Sequence, residues 1–188
     1  MRHFFFFCLL SIVIVSCSSV TPAVKRTSDA RPSDFVVWTP EFRSDEVKNS
    51  YRIALKTSEN SITGLCFLKK NKDEWRGTLM NEMGATAFAF TVTGEKCVLH
   101  NVISIMNKWY IKKTIAADLF FFIQIDNPNT PFYKRLERFE QNGKRIVNYK
   151  KKQVVIEEDG SVRLVNKRRN LQYELRKMVE LDPDKIIL

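Results

Sequence analysis

The sequence predicts a mainly β (α+β) domain, antiparallel, with one main helix between two groups of strands. Three observations predict it. From Tyr51 to Ile103, apolar and polar residues alternate in short runs separated by turn residues, the period of half-buried strands. From Lys108 to Gln124 the apolar spacing lengthens to that of a helix. From Tyr133 onward the strand period returns, punctuated by Asn142-Gly143 and Asp159-Gly160.

Taken in order, the chain begins with a targeting segment, residues 1–16. Arg2 precedes an apolar run from Phe4 to Val15. The run is shorter than the about 20 apolar residues that span a bilayer. It has the length of a secretory h-region. It ends Ile14-Val15-Ser16-Cys17, and an aliphatic residue, a small residue and then Cys resemble a bacterial lipoprotein signal. The resemblance implies cleavage before Cys17, a diacylglycerol thioether on that Cys, and an acylated new N-terminus. The alternative is an ordinary signal peptide with an incidental Cys. Several acyl chains, at about 0.8 kcal/mol per buried CH₂, would hold the chain stably on a membrane.

Residues 17–34 read as the lipidated Cys and a flexible tether: Ser18 to Asp34 is polar, holds Pro22 and Pro32, and has no period. Ser18 is the residue type associated with outer-membrane sorting, and no acidic cluster follows Cys17. The expected location is therefore the outer membrane, lipid-anchored and facing the periplasm. Residues 35–188 form the expected single domain. The about 170 residues from Cys17 to Leu188 suffice to bury a core of their own.

Phe35 to Tyr51 is irregular, with room for a short helix after Pro40. Strands are then expected over Tyr51–Lys56, Ile62–Lys69, Glu74–Glu82, Thr86–Thr93 and Lys96–Ile103, a meander joined by short turns. Trp75, Gly77 and Leu79 share one strand face, as do Phe88, Phe90 and Val92. Asn107 is placed to cap the helix Lys108–Gln124. Its stripe is Ile111, Ile115, Leu119, Phe122 and Ile123, with Lys113 and Gln124 opposite. Leu119 to Ile125 also reads as a buried strand, and Phe122 is expected at the mouth of the fold. After a loop, Asp126–Pro131, strands are expected over Tyr133–Phe139, Arg145–Lys150, Gln153–Glu157, Val162–Asn166, Leu171–Leu181 and Ile186–Leu188.

A net charge of +10, or +9 once Arg2 leaves with the signal, suits a chain that meets anionic lipid or acidic polymers outside the cytoplasm. No nucleic-acid partner is expected. Beyond the signal, only Cys66 and Cys97 remain. The compartment permits a disulfide, and two free thiols are the alternative. Cys97-Val98-Leu99-His100 has ligand-like spacing, but no second pair completes a zinc site. No GxSxG elbow, P-loop or GxGxxG occurs. No catalytic residue, metal or cofactor is therefore assigned, and an enzyme is not expected. Asp118 interrupts an apolar helix and calls for an ion pair with Lys112, Lys113 or a strand Arg.

The order of parts resembles the Lol-pathway carrier and its outer-membrane receptor lipoprotein, the LolA/LolB-like superfamily. The match covers roughly Phe42 to Leu188. It rests chiefly on the strand at Gly64, the strand with Trp75, the turn Met83-Gly84 and the helix Lys108 to Phe122. Two departures matter: the family's N-terminal helix is not clear in this sequence, and the WxxG-like signal expected after the main helix is absent. The resemblance implies a curved, unclosed antiparallel β-barrel, or half-barrel, with one main amphipathic helix against its concave face. It also implies lipid or lipoprotein trafficking in the periplasm, with a lipid, an acyl chain or a lipoprotein as ligand. The candidate hydrophobic lining is Trp75, Leu79, Phe88, Phe90, Ile111, Ile115, Leu119 and Phe122, which a fully packed core would instead consume. Lys150, Lys151, Lys152, Lys167, Arg168 and Arg169 are candidate contacts for head groups or a partner. The runner-up is a non-catalytic structural or assembly lipoprotein that docks on an envelope protein complex through this basic edge.

Overall fold

The two strand groups join into one sheet. The computed structural model describes residues 31–178. The first group is β2 (Lys48–Lys56), β3 (Ser61–Asn71), β4 (Glu74–Met80), β5 (Thr86–Val92) and β6 (Cys97–His100). Helix α2 (Trp109–Ile123) follows. The second group is β7 (Glu137–Gln141), β8 (Lys144–Tyr149), β9 (Lys152–Ile156), β10 (Val162–Asn166) and β11 (Leu171–Lys177). A two-residue strand β1 (Arg31–Pro32) and a one-turn helix α1 (Pro40–Arg43) precede them.

The strand order is β1-β7-β8-β9-β10-β11-β2-β3-β4-β5-β6, antiparallel throughout. Each group is a meander, and β11 against β2 is the seam that unites them, from Gln172↔Lys56 to Lys177↔Tyr51. β1 and β6 remain at opposite edges, so the sheet curls without closing. The fold is therefore a mainly β half-barrel with one main helix.

Local chemistry explains the turns. Asn142 and Gly143 both have positive φ, 50° and 72°, as the tight hairpin between β7 and β8 requires. Inside β4, Gly77 is needed for space. A Cβ there would lie 2.1 Å from Cζ of Phe90 on β5, so the glycine lets the ring lie flat on its neighbour. A register shift between Leu79 and Met80 bends the same strand pair.

Several boundaries differ from expectation. The strand expected to run to Ile103 stops at His100, and a 3-10 turn (Ser104–Met106) fills the gap. Asn107 ends that turn with its N–H on Ser104 O, so it does not cap α2. Lys108 takes the cap position without a side-chain bond. Residues 119–123 are helical, which removes the buried-strand alternative. Tyr133–Arg135 is a 3-10 turn, and the strand begins at Glu137. Part of the expected tether is structured, because Arg31 and Pro32 pair with Glu140 and Phe139 of β7. Gln124, expected opposite the apolar stripe, is buried and donates from Nε2 to Thr93 O at 3.0 Å.

The main core cluster lies between sheet and helix, from Val37 to Leu175, and a small second cluster, Phe139, Ile146 and Val155, lies on the other face. The described sheet, helix and core lie between Arg31 and Met178. The signal, Cys17, Ser18 and most of the tether lie outside the described residues, as do the end of the strand expected to reach Leu181 and the strand Ile186–Leu188.

Candidate functional site

Alternation along the strands builds an apolar wall. Ile53, Cys66, Leu68 and Leu79 contribute from β2, β3 and β4, and Phe88 and Phe90 from β5. Leu164, Tyr173 and Leu175 extend it across β10 and β11. Leu119, Phe122 and Ile123 of α2 face this wall across a seam. The seam is closed, with a cavity of about 10 Å³, no more than about one water needs.

Five of the expected lining residues, Leu79, Phe88, Phe90, Leu119 and Phe122, meet at the seam. Trp75, Ile111 and Ile115 do not. Trp75 stacks on Phe42 with ring centroids 4.3 Å apart. Ile115 is buried in the same core cluster without lining the cavity, and Ile111 is half-buried against that cluster. The wall residues from β2, β3, β10 and β11 carried the same alternation in the sequence. Alternation marks them as one face of their own strands, but only the pairing of β11 with β2 joins the face of β10 and β11 to the wall of β4 and β5.

An aromatic plug closes the C-terminal end of α2. Trp38 stacks on Phe42 at 4.0 Å and meets Phe122 edge-on at 4.6 Å. The Trp38 indole N–H donates to Phe122 O at 2.9 Å. Asp126 fixes the segment: it accepts the N–H groups of Val37 and Trp38 and pairs with Arg43 and Arg138 at 3.2 Å each. Phe122, expected at the mouth, is 3% exposed beneath this plug. The Asp126 contacts that draw the plug over it join segments nearly ninety residues apart, which no local pattern reveals.

A polar latch ties the middle of α2 to the sheet. Asp118 is fully buried. Lys152 Nζ lies 2.8 Å from Oδ1, Asn166 Nδ2 donates to both carboxylate oxygens at 2.9 Å, and Tyr173 OH donates at 3.1 Å. Lys152 also donates to Ala117 O at 2.9 Å. The expected cation partner is therefore a strand lysine. Burial, with Asp118 beside it, pushes the Tyr173 hydroxyl well above its ordinary range. Lys152, one of the expected head-group contacts, is turned inward as part of this latch.

The other basic residues gather above it. The turn between β8 and β9 carries Lys150 and Lys151, and the turn between β10 and β11 carries Lys167, Arg168 and Arg169. Lys167 N donates to Lys151 O at 2.9 Å, locking the two turns together. Between these turns and the start of α2 lies an open groove of about 310 Å³, edged by Trp109, Tyr110 and Lys113.

Cys66 and Cys97 are both free thiols. Two strands, β4 and β5, separate theirs in the sheet. Burial pushes each thiol up to about 12. Cys97 is half-buried while His100, three residues on, is exposed with Nε2 3.3 Å from Thr91 Oγ1, as residues three apart on a strand face opposite ways. Compared with known proteins, the chain matches no family model and no curated sequence.

Proposed function

We propose that the chain is an outer-membrane lipoprotein, anchored through Cys17 and facing the periplasm, whose half-barrel binds or passes on a lipid or a lipidated ligand. The observation that carries this reading is the seam. A wall of apolar side chains is covered by a single helix of fifteen residues. Lifting that helix would expose a trough suited to an acyl chain. In the closed state the trough is filled by the protein's own Leu119, Phe122 and Ile123. Ligand uptake then requires α2 to move away from β5. The wall binds by burial, and no catalytic group or cofactor enters.

A second reading has one observation in its favour. The closure of the seam suits a non-catalytic assembly lipoprotein that uses its outer surface to dock on an envelope complex. Two measurements separate the readings. Mass spectrometry of an organic extract of the purified chain from Ser18 to Leu188 looks for co-purified lipid. Displacement of a fluorescent fatty-acyl probe reports uptake directly. Lipid in the extract, or saturable probe binding weakened by Phe88→Asp, supports the carrier. A chain that binds no probe and carries no lipid, yet captures an envelope complex, supports the assembly reading instead.

A further inference from the structure

We infer that the rim formed by the start of α2 and the two basic turns is a docking face for an anionic phospholipid bilayer. It deepens the membrane side of the proposed function and stands whether or not the seam admits an acyl chain.

Charge is the first ground. Lys113, Lys150, Lys151, Lys167, Arg168 and Arg169 are all exposed and converge on this rim. Among the described residues none of them has a carboxylate partner. The one acid that lines the groove, Asp118, is buried and already matched by Lys152. Glu59 and Glu82 sit on the β2–β3 and β4–β5 turns, farther round the same end of the sheet. Lys150 holds φ 52°, a left-handed conformation that Gly or Asn adopts with less strain. A lysine there keeps a cation at the tip of the turn.

Apolar exposure is the second ground. Ile105 and Trp109 are each 73% exposed, and Tyr110 is 44% exposed. Trp109 and Tyr110 open α2 and line the groove with the cations, and Ile105 lies on the 3-10 turn just before them. Exposed large apolar side chains gathered beside polar ones mark a protein or membrane interaction site. Trp and Tyr settle at the head-group level of a bilayer, and cations beside them reach lipid phosphates. A free phosphate has no use for an exposed Trp and Tyr beside its binding lysines, whereas a head-group layer takes up both. The pairing of cations with Trp109 and Tyr110 therefore points to the lipid surface.

The test uses the unacylated chain from Ser18 to Leu188, which retains the whole described fold. It is mixed with vesicles of phosphatidylcholine alone or with phosphatidylglycerol added. Sedimentation with the anionic vesicles only, falling with added salt, is expected. So is a blue-shifted Trp emission quenched by brominated lipid, a signal that Trp109→Ala removes. Lys150→Glu with Lys151→Glu should weaken partitioning at least about tenfold. Lys69→Glu with Lys96→Glu, the same charge change toward the opposite end, should leave it nearly unchanged. Circular dichroism checks each fold, and Lys150→Gln with Lys151→Gln gives a milder form of the rim variant. Equal losses in rim and control variants would reduce the effect to diffuse net charge and overturn the docking face. So would the absence of sedimentation at low salt, or sedimentation with no change at Trp109. The acyl-probe measurement is separate, so loss of probe uptake with intact vesicle docking rejects the carrier reading alone.

Discussion

The Lys152 ammonium, from the first residue of β9, and the Asp118 carboxylate, from the middle of α2, meet at 2.8 Å, with Asn166 and Tyr173 completing the carboxylate's shell. A charge in the middle of an apolar helix is tolerated because the sheet supplies its partners. The same pair fixes how α2 lies on the wall, so it bears on both stability and any opening of the seam.

Asp118→Ala removes the acceptor from three donors at once and leaves the Lys152 charge in a largely buried place. Breaking such a pair from one side costs about 3–5 kcal/mol. Tyr173→Phe removes one bond to a charged group and should cost about 1.5–3 kcal/mol. Urea denaturation of the two variants checks the order. Equal stability of both would show that Asp118 does not organise the latch.

Gly77→Ala drives a methyl group into the Phe90 ring, and overpacking of this kind costs about 1–3 kcal/mol. Phe90→Leu frees the space, so the double variant should lose less than the sum of the two single losses. An additive double-variant cycle would mean that the strand pair shifts to make room.

The plug changes what is expected at Phe122. Beneath Trp38 it is a core residue, and Phe122→Ala should cost about 3–5 kcal/mol, as much as Phe88→Ala. Thermal or urea unfolding measures both. A small loss at Phe122 alone would place the ring at an open mouth, as the sequence suggested.

Both thiols are protonated in the fold well above neutrality. With the folded values at about 12, against 9.0 for an unperturbed thiol, little thiolate forms at pH 8. Alkylation of Cys66 in the native chain should be slower than in denatured chain by two orders of magnitude or more. The linkage sign follows from the raised values. Their contribution to stability is full below pH 9 and falls as the pH rises toward 12. Rapid native alkylation of Cys66 at pH 8 would contradict its burial.

Cys17→Ala tests the anchor. The variant should accumulate as an uncleaved or mislocalised precursor, while the parent chain fractionates with outer membrane. Normal processing of the variant, or soluble release of the parent, removes the lipoprotein reading.

The sequence by itself determined the elements. Period-two alternation located all five strands of the first group and, with Asn142-Gly143 and Asp159-Gly160, most of the second. The apolar spacing over 108–124 located α2 to within a residue at each end. These are local properties, set by which face of a strand or helix each side chain takes. Tertiary structure alone decided the pairing of β11 with β2, which joins residues more than a hundred positions apart. It also decided the burial of Phe122 under Trp38, and the choice of Lys152 over Lys112 and Lys113 as partner of Asp118. It brought Lys150 and Lys151 beside Lys167, Arg168 and Arg169, because antiparallel β9 and β10 return their turns to the same end. Periodicity states which face is apolar. It does not state what covers that face, because the covering residue is chosen by packing between segments remote in sequence.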